Sequence, residues 1–171
     1  VHIACVPHAG GQQGGDIYYV SNCASGLITR FALADVAGHG VQVASLAVEL
    51  RNLMRRHINT ANQTRFAIEL NQAFGNLDLG GRFATAILAT YFAPTDHLIL
   101  CNAGHPRPLL YRAASNAWEL LDGDTPGSLS APRPGREVGI ANLPLGIVDP
   151  TSYQQFAIRL QPGDLVVMYT D

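Results

Sequence analysis

The sequence contains no lysine: all 11 of its cationic side chains are arginines. Charged residues make up only 14% of the 171, with a formal net charge of −2, so nothing in the bulk charge points toward nucleic acid. No apolar run approaches the ~18 residues of a membrane span, and there is no signal-peptide pattern, so the expected setting is cytoplasmic and without membrane contact. Cysteine is scarce. Cys5, Cys23 and Cys101 form an odd, scattered set without CxxC spacing, which argues against a thiolate metal site or a redox motif. They are expected to be buried free thiols of a reducing compartment. There is no GxSxG to present a serine nucleophile. His2, His8, His57 and His97 form no HxH or HExxH pattern that would hold zinc.

What is present is apolar and turn-rich: 47% hydrophobic residues, 17 glycines and 10 prolines, enough for one domain over residues 1–171 with a sizeable core. The chain stops at Asp171 inside a strand-like pattern and reads as a piece of something larger or a chain with an untraced tail. Strands are expected over residues 2–6, 17–23 and 27–35, the last two forming a hairpin. Val43, Leu46, Ala47, Leu50, Leu53 and Met54 fall on one face of a helix over 41–57, with arginines toward its C-terminal end, where the helix dipole favours cations. A second helix is expected over 63–79, striped by Phe66, Leu70, Ala73, Phe74 and Leu77 and stopped by Gly80-Gly81. The period then changes to strand type over 83–92, 98–102, 108–112, 118–121, 153–160 and 165–170, with 122–136 as an exposed loop. Two hairpin strands, two adjacent helices and a run of strands do not make βαβ alternation. They predict an α+β domain of antiparallel sheets with helices packed outside.

Three acids stand at strand-to-loop junctions: Asp16 after Gly14-Gly15, Asp35 at the end of an apolar strand, and Asp171 at the end of another. An aspartate in such a place often only forms an Asx-turn or caps a helix. For Asp35 a capping role is weakened by its distance from Val41, where the helix is expected to start. Hard divalent cations need a few carboxylate and carbonyl oxygens held rigidly, with close backbone approach that neighbouring glycines permit.

The segments Gly14-Gly15-Asp16-Ile17-Tyr18, Asp35-Val36-Ala37-Gly38-His39-Gly40, Phe83-Ala84-Thr85-Ala86, Asn102-Ala103-Gly104-His105-Pro106, Pro144-Leu145-Gly146 and Tyr169-Thr170-Asp171 occur in that order. Together they closely resemble the SpoIIE-like bacterial branch of the metal-dependent serine/threonine phosphatases, the protein phosphatase 2C-like superfamily. The resemblance implies two stacked antiparallel sheets flanked by helices (an α-β-β-α sandwich) and two Mn²⁺ or Mg²⁺ ions at one end. It implies Asp35 bridging both ions, the Val36 carbonyl and Asp171 as further ligands, and Asp16 acting through water or from just outside. The nucleophile would be water, and the substrate a phosphoserine or phosphothreonine protein, such as an anti-sigma-factor antagonist. A fused sensor or receiver domain is implied for the full protein. His39, between two glycines, is a candidate proton donor to the leaving group, the alternative being a loop residue that shapes the turn. His105 is expected to shape its turn. Arg82 and Arg107 are candidate phosphate clamps. The chain departs from the family pattern at Tyr19, where an aspartate is usual, and the family has a further metal-binding aspartate beyond the position of Asp171. The rival reading is a catalytically inactive phosphatase-like adaptor or protein-binding module.

Overall fold

The computed structural model describes residues 1–4, 14–23, 26–130 and 142–170, which form, besides one short 3-10 turn at Ala93–Thr95, nine strands and two α-helices. In chain order these are β1 (Asp16–Asn22), β2 (Ile28–Val36), α1 (Val41–His57), α2 (Gln63–Gly75), β3 (Ala84–Phe92), β4 (His97–Ala103), β5 (Leu109–Arg112), β6 (Ala117–Leu120), β7 (Ser128–Ser130), β8 (Gln155–Arg159) and β9 (Leu165–Val167). One sheet has six strands in the order β1-β2-β3-β4-β8-β7, the other three in the order β6-β5-β9, and every strand pairing is antiparallel.

Strand alternation sorts the side chains of the large sheet into two cores. Ala32, Ala34, Val36, Ala84, Ala86, Leu88, Cys101 and Ala103 face α1 and α2. The small alanines on this face leave room for Leu50, Met54, Phe66, Leu70 and Phe74 from the helices, all fully buried. Ile87, Ala89, Leu98 and Leu100 face the other way and pack with Leu110, Leu121, Phe156 and Ile158. With both faces covered, β3 reads as a nearly continuous apolar run rather than an alternating one.

The α+β architecture of two antiparallel sheets expected from the sequence is what forms. Both described helices lie on one side of the six-stranded sheet. The outer face of the three-stranded sheet instead presents exposed Trp118, Leu120, Leu165 and Val167.

Local expectations differ in five places, one of them the last strand, β9, which ends at Val167 and not at Thr170. Residues 2–4 form no strand, and residues 5 and 6 lie outside the described set. Helix α2 ends at Gly75, not Leu79. Asn76 closes it by donating its amide to the Gln72 and Phe74 carbonyls, and glycine at position 75 weakens continuation. The loop expected over 122–136 contains β7, held to β8 by pairings such as Leu129 with Ala157. Cys101 is buried, its thiol pushed up to about 12 by burial, whereas Cys23 is only half-buried; Cys5 lies outside the described residues.

The start of α2 is pinned by its own cap and by a side chain from β8. Asn62 caps α2 by accepting from the Arg65 amide at 2.8 Å. Gln155 of β8 accepts from the Gln63 and Thr64 amides at 2.7 and 3.2 Å, satisfying donors that a helix start leaves open. The turn between β8 and β9 is built around Asp164, whose side chain is 1% exposed. Its carboxylate accepts from the Gln161 and Ala113 amides and from the Arg112 guanidinium, each at 3.0 Å. Burial alone would push this carboxyl up. The two amides and the arginine outweigh it and hold the group below the usual carboxylate range. Because the folded pKa is depressed, the resulting stability is fully present above about pH 4 and is lost as the pH falls through the lower folded value. Asp164→Asn is expected to cost about 1–2 kcal/mol at neutral pH. Denaturant titrations of both proteins from pH 7 to pH 3 should converge as the wild type loses this contribution on acidification.

Candidate functional site

The β1–β2 register sets Asp16 opposite Asp35, and the β2–β3 register sets Asp35 opposite Thr85 and Val36 opposite Ala84. Because Ala34 and Val36 turn into the helix-side core, Asp35 between them turns to the other face, toward the second sheet. It is half-buried, and Asp16 is exposed. Like charges directly opposite each other across an antiparallel pair destabilise it, a cost that a cation between them removes.

Gly15 fits against this pair. A Cβ on it would stand 2.7 Å from Asp35 Oδ1 and 2.8 Å from the Val36 nitrogen, and closer still to the Val36 carbonyl oxygen. The Val36 amide donates to the Gly15 carbonyl at 3.2 Å. The Asp35 carboxylate and the Val36 carbonyl therefore converge on one spot that only a glycine leaves open. Beyond Val36 the ladder continues for one residue, with the Ala37 amide donating to the Phe83 carbonyl at 2.9 Å. The chain then turns through Gly38 and Gly40, whose φ values of 109° and 97° disfavour any side chain, and Gly40 immediately precedes α1. His39 is exposed between them.

The second motif loop lies on the same face. Asn102 clasps its own turn: its Nδ2 donates to the His105 carbonyl at 2.8 Å, and its Oδ1 accepts from the His105 amide at 2.7 Å. The His105 ring is 6% exposed. Its Nδ1 lies 2.7 Å from the Thr85 hydroxyl, and its Nε2 donates to the Tyr169 carbonyl at 2.9 Å. The turn-shaping role expected of His105 is thus accompanied by a longer reach, from β3 to the end of the chain.

The Pro144-Leu145-Gly146 motif bridges β3 and α2. Leu145 exchanges two backbone hydrogen bonds with Ala84, at 3.0 and 2.7 Å. The Gly146 amide donates to Asn71 Oδ1 at 2.9 Å, and Asn71 Nδ2 donates to the Val148 carbonyl at 3.0 Å. Asn71, 2% exposed, escaped the sequence reading because a lone polar residue on an apolar helix carries no motif.

The arginine candidates separate. Arg107 is committed to Asp122 through a 2.8 Å ion pair and holds that carboxyl below its ordinary range. Arg82 donates to Gln42 at 3.0 Å and borders a groove of about 260 Å³ with Ser45 and Asp78, beside Gly38. Asp171 lies outside the described residues. Among the described residues no three His, Cys, Asp or Glu side chains converge as a metal cluster. The donors that the described residues do bring together are oxygens: Asp16, Asp35 and the Val36 carbonyl. That donor chemistry suits Mg²⁺ or Mn²⁺, which bind few protein oxygens and retain waters.

The model of the family described as Stage II sporulation protein E (SpoIIE) matches residues 28–171. The chain also superposes on solved structures of low sequence identity. One comprises the RsbU and RsbW domains of a Mycobacterium tuberculosis protein, with 22% identity, a TM-score of 0.72, and coverage of 97% of this chain and 40% of that one. A second is RsbX in complex with magnesium, with 18% identity, a TM-score of 0.61, and coverage of 90% and 67%. A third is the PP2C phosphatase domain, with a regulatory fragment, of SpoIIE from Bacillus subtilis, with 17% identity, a TM-score of 0.62, and coverage of 92% and 41%. The chain therefore spans well under two thirds of two of these three. No helix among the described residues is long and apolar enough to cross a membrane.

Proposed function

Since the chain belongs to the SpoIIE family and has the fold of PP2C-type phosphatase domains, we propose that residues 1–171 form a single catalytic domain that hydrolyses phosphoserine or phosphothreonine in a partner protein. The observation that carries this reading is the pairing of Asp16 with Asp35 across β1 and β2, with the Val36 carbonyl and Asp35 Oδ1 crowded against Gly15. Asp35 would hold both cations, the Val36 carbonyl and Asp171 would complete the protein ligands, and Asp16 would act through water. Two hard divalent cations bound there would lower the pKa of water and offset charge on the phosphoryl group. The chain's own contribution is rigidity. β2 is hydrogen-bonded on both edges, so the Asp35 carboxylate is held in place before any substrate arrives. His39, exposed in the adjoining loop, would pass a proton to the departing serine or threonine oxygen.

The substrate is proposed to be a phosphorylated regulatory protein of the anti-sigma-factor antagonist type, with a sensor or receiver domain fused to this one. A neighbour whose PP2C phosphatase domain occurs with a regulatory domain in one protein supports the idea of such fusions. The test is hydrolysis of a phosphoserine peptide by the full-length protein, with and without Mn²⁺. Mn²⁺-dependent release of phosphate is expected. No release, together with no Mn²⁺ uptake by calorimetry, would overturn this reading and favour the inactive adaptor.

A further inference from the structure

His105 spans a distance that its turn does not require. Its Nδ1 is 2.7 Å from Thr85 Oγ1, and Thr85 is the register partner of Asp35. Its Nε2 is 2.9 Å from the Tyr169 carbonyl oxygen, and Tyr169 stands two residues before Asp171 in the sequence. A carbonyl oxygen only accepts, so Nε2 must carry a proton. In the neutral ring Nδ1 then accepts from the Thr85 hydroxyl. The ring is almost fully enclosed, and the Asn102 side chain locks its backbone at both the amide and the carbonyl. Among the described residues the β5–β9 ladder pairs Leu109 with Val167 and extends no further along β9. The Tyr169 carbonyl is thus fastened by His105 where strand pairing has ended.

We propose that His105 is a positioning residue. It ties the backbone at Tyr169, two residues before Asp171 in the sequence, to the strand that pairs with Asp35, and so holds the approach to the proposed metal centre in place. This rests on the metal-centre reading above. It assigns His105 neither a ligand nor a proton-transfer role. A group that orients a metal ligand typically costs 10–100-fold in metal affinity when removed.

The experiment compares full-length wild type with His105→Leu, His105→Gln and Thr85→Val. The readouts are Mn²⁺ titration by calorimetry and amide hydrogen exchange of the metal-free proteins. Leucine fills the ring's space without its nitrogens, and glutamine restores a donor toward the Tyr169 carbonyl. His105→Leu is expected to weaken Mn²⁺ binding about 10–100-fold and to speed exchange over residues 165–170, leaving 28–36 protected. His105→Gln is expected to recover part of both. Thr85→Val, which keeps the side chain's shape and removes its hydroxyl, should weaken Mn²⁺ binding several-fold and decides the matter if His105→Leu fails to fold. Wild-type Mn²⁺ affinity and exchange in His105→Leu, or in Thr85→Val should the leucine variant not fold, overturns the proposal. Failure of the wild type itself to take up Mn²⁺ overturns the metal centre and this proposal with it.

Discussion

Asp35→Asn in the full-length protein is expected to reduce Mn²⁺-dependent hydrolysis of a phosphoserine peptide by at least about a thousand-fold, equivalent to several kcal/mol of lost electrostatic stabilisation. The substitution preserves shape, and β2 keeps its pairing with both neighbours, so the fold has no reason to change. Only the charge goes. An amide supplies one weaker oxygen donor where two cations are proposed to share a carboxylate. Stability gives an independent check of the cause. In the metal-free protein Asp16 and Asp35 stand opposite each other across the β1–β2 pair, and Asp35→Asn removes one of these two like charges. Wild type should gain Tm on adding Mn²⁺, because a ligand bound only by the folded state stabilises it, and the variant should not. Equal hydrolysis by the two proteins would end the assignment.

Gly15→Ala should be the most damaging single-methyl change near the site. Its Cβ would meet the backbone of Val36 and the Asp35 carboxylate at separations that real atoms do not tolerate, and two of the three obstacles are backbone. Relief requires the start of β1 to move away from the end of β2, which separates Asp16 from Asp35. Overpacking of this kind costs about 1–3 kcal/mol, which for a domain of this size lowers Tm by roughly 2–10 °C. Mn²⁺ affinity should fall at least about tenfold, as it does when a ligand's support is disturbed. Gly14→Ala is the control. Its Cβ would make only ordinary contacts, 3.9 and 4.0 Å from atoms of Asp16, and should change neither quantity. Calorimetry and thermal melts of the two variants side by side decide it; identical behaviour would mean that the tight fit at Gly15 does not govern the site.

The two adjacent glycines show how far the sequence reads by itself. Gly14-Gly15 marks a loop and permits close backbone approach, but nothing in the one-dimensional pattern says which of the two is irreplaceable. That depends on Val36, which lies 21 residues away and reaches Gly15 only through the β1–β2 register. The helix α1 is the opposite case. Its buried set, Val43, Leu46, Ala47, Leu50, Leu53 and Met54, is the stripe that periodicity predicts, because a helix face is fixed by local spacing alone. Helix α2 lies between: its stripe is legible, but its end is not, because capping at Asn76 competes with the later Gly80-Gly81 signal.

The sequence alone therefore determined the α+β class, the helix faces, the strand-end positions of Asp16 and Asp35, and the six motifs that carry the family likeness. These are local patterns of polarity and turn chemistry, and they survive without knowledge of what packs where. Tertiary structure decided that Asp16 faces Asp35, that Arg107 is spent on Asp122, that Asn71 latches α2 to Gly146, and that His105 reaches from Thr85 to Tyr169. Each of these joins residues far apart in the chain. Strand register and packing set their distances, and no spacing in the sequence encodes them.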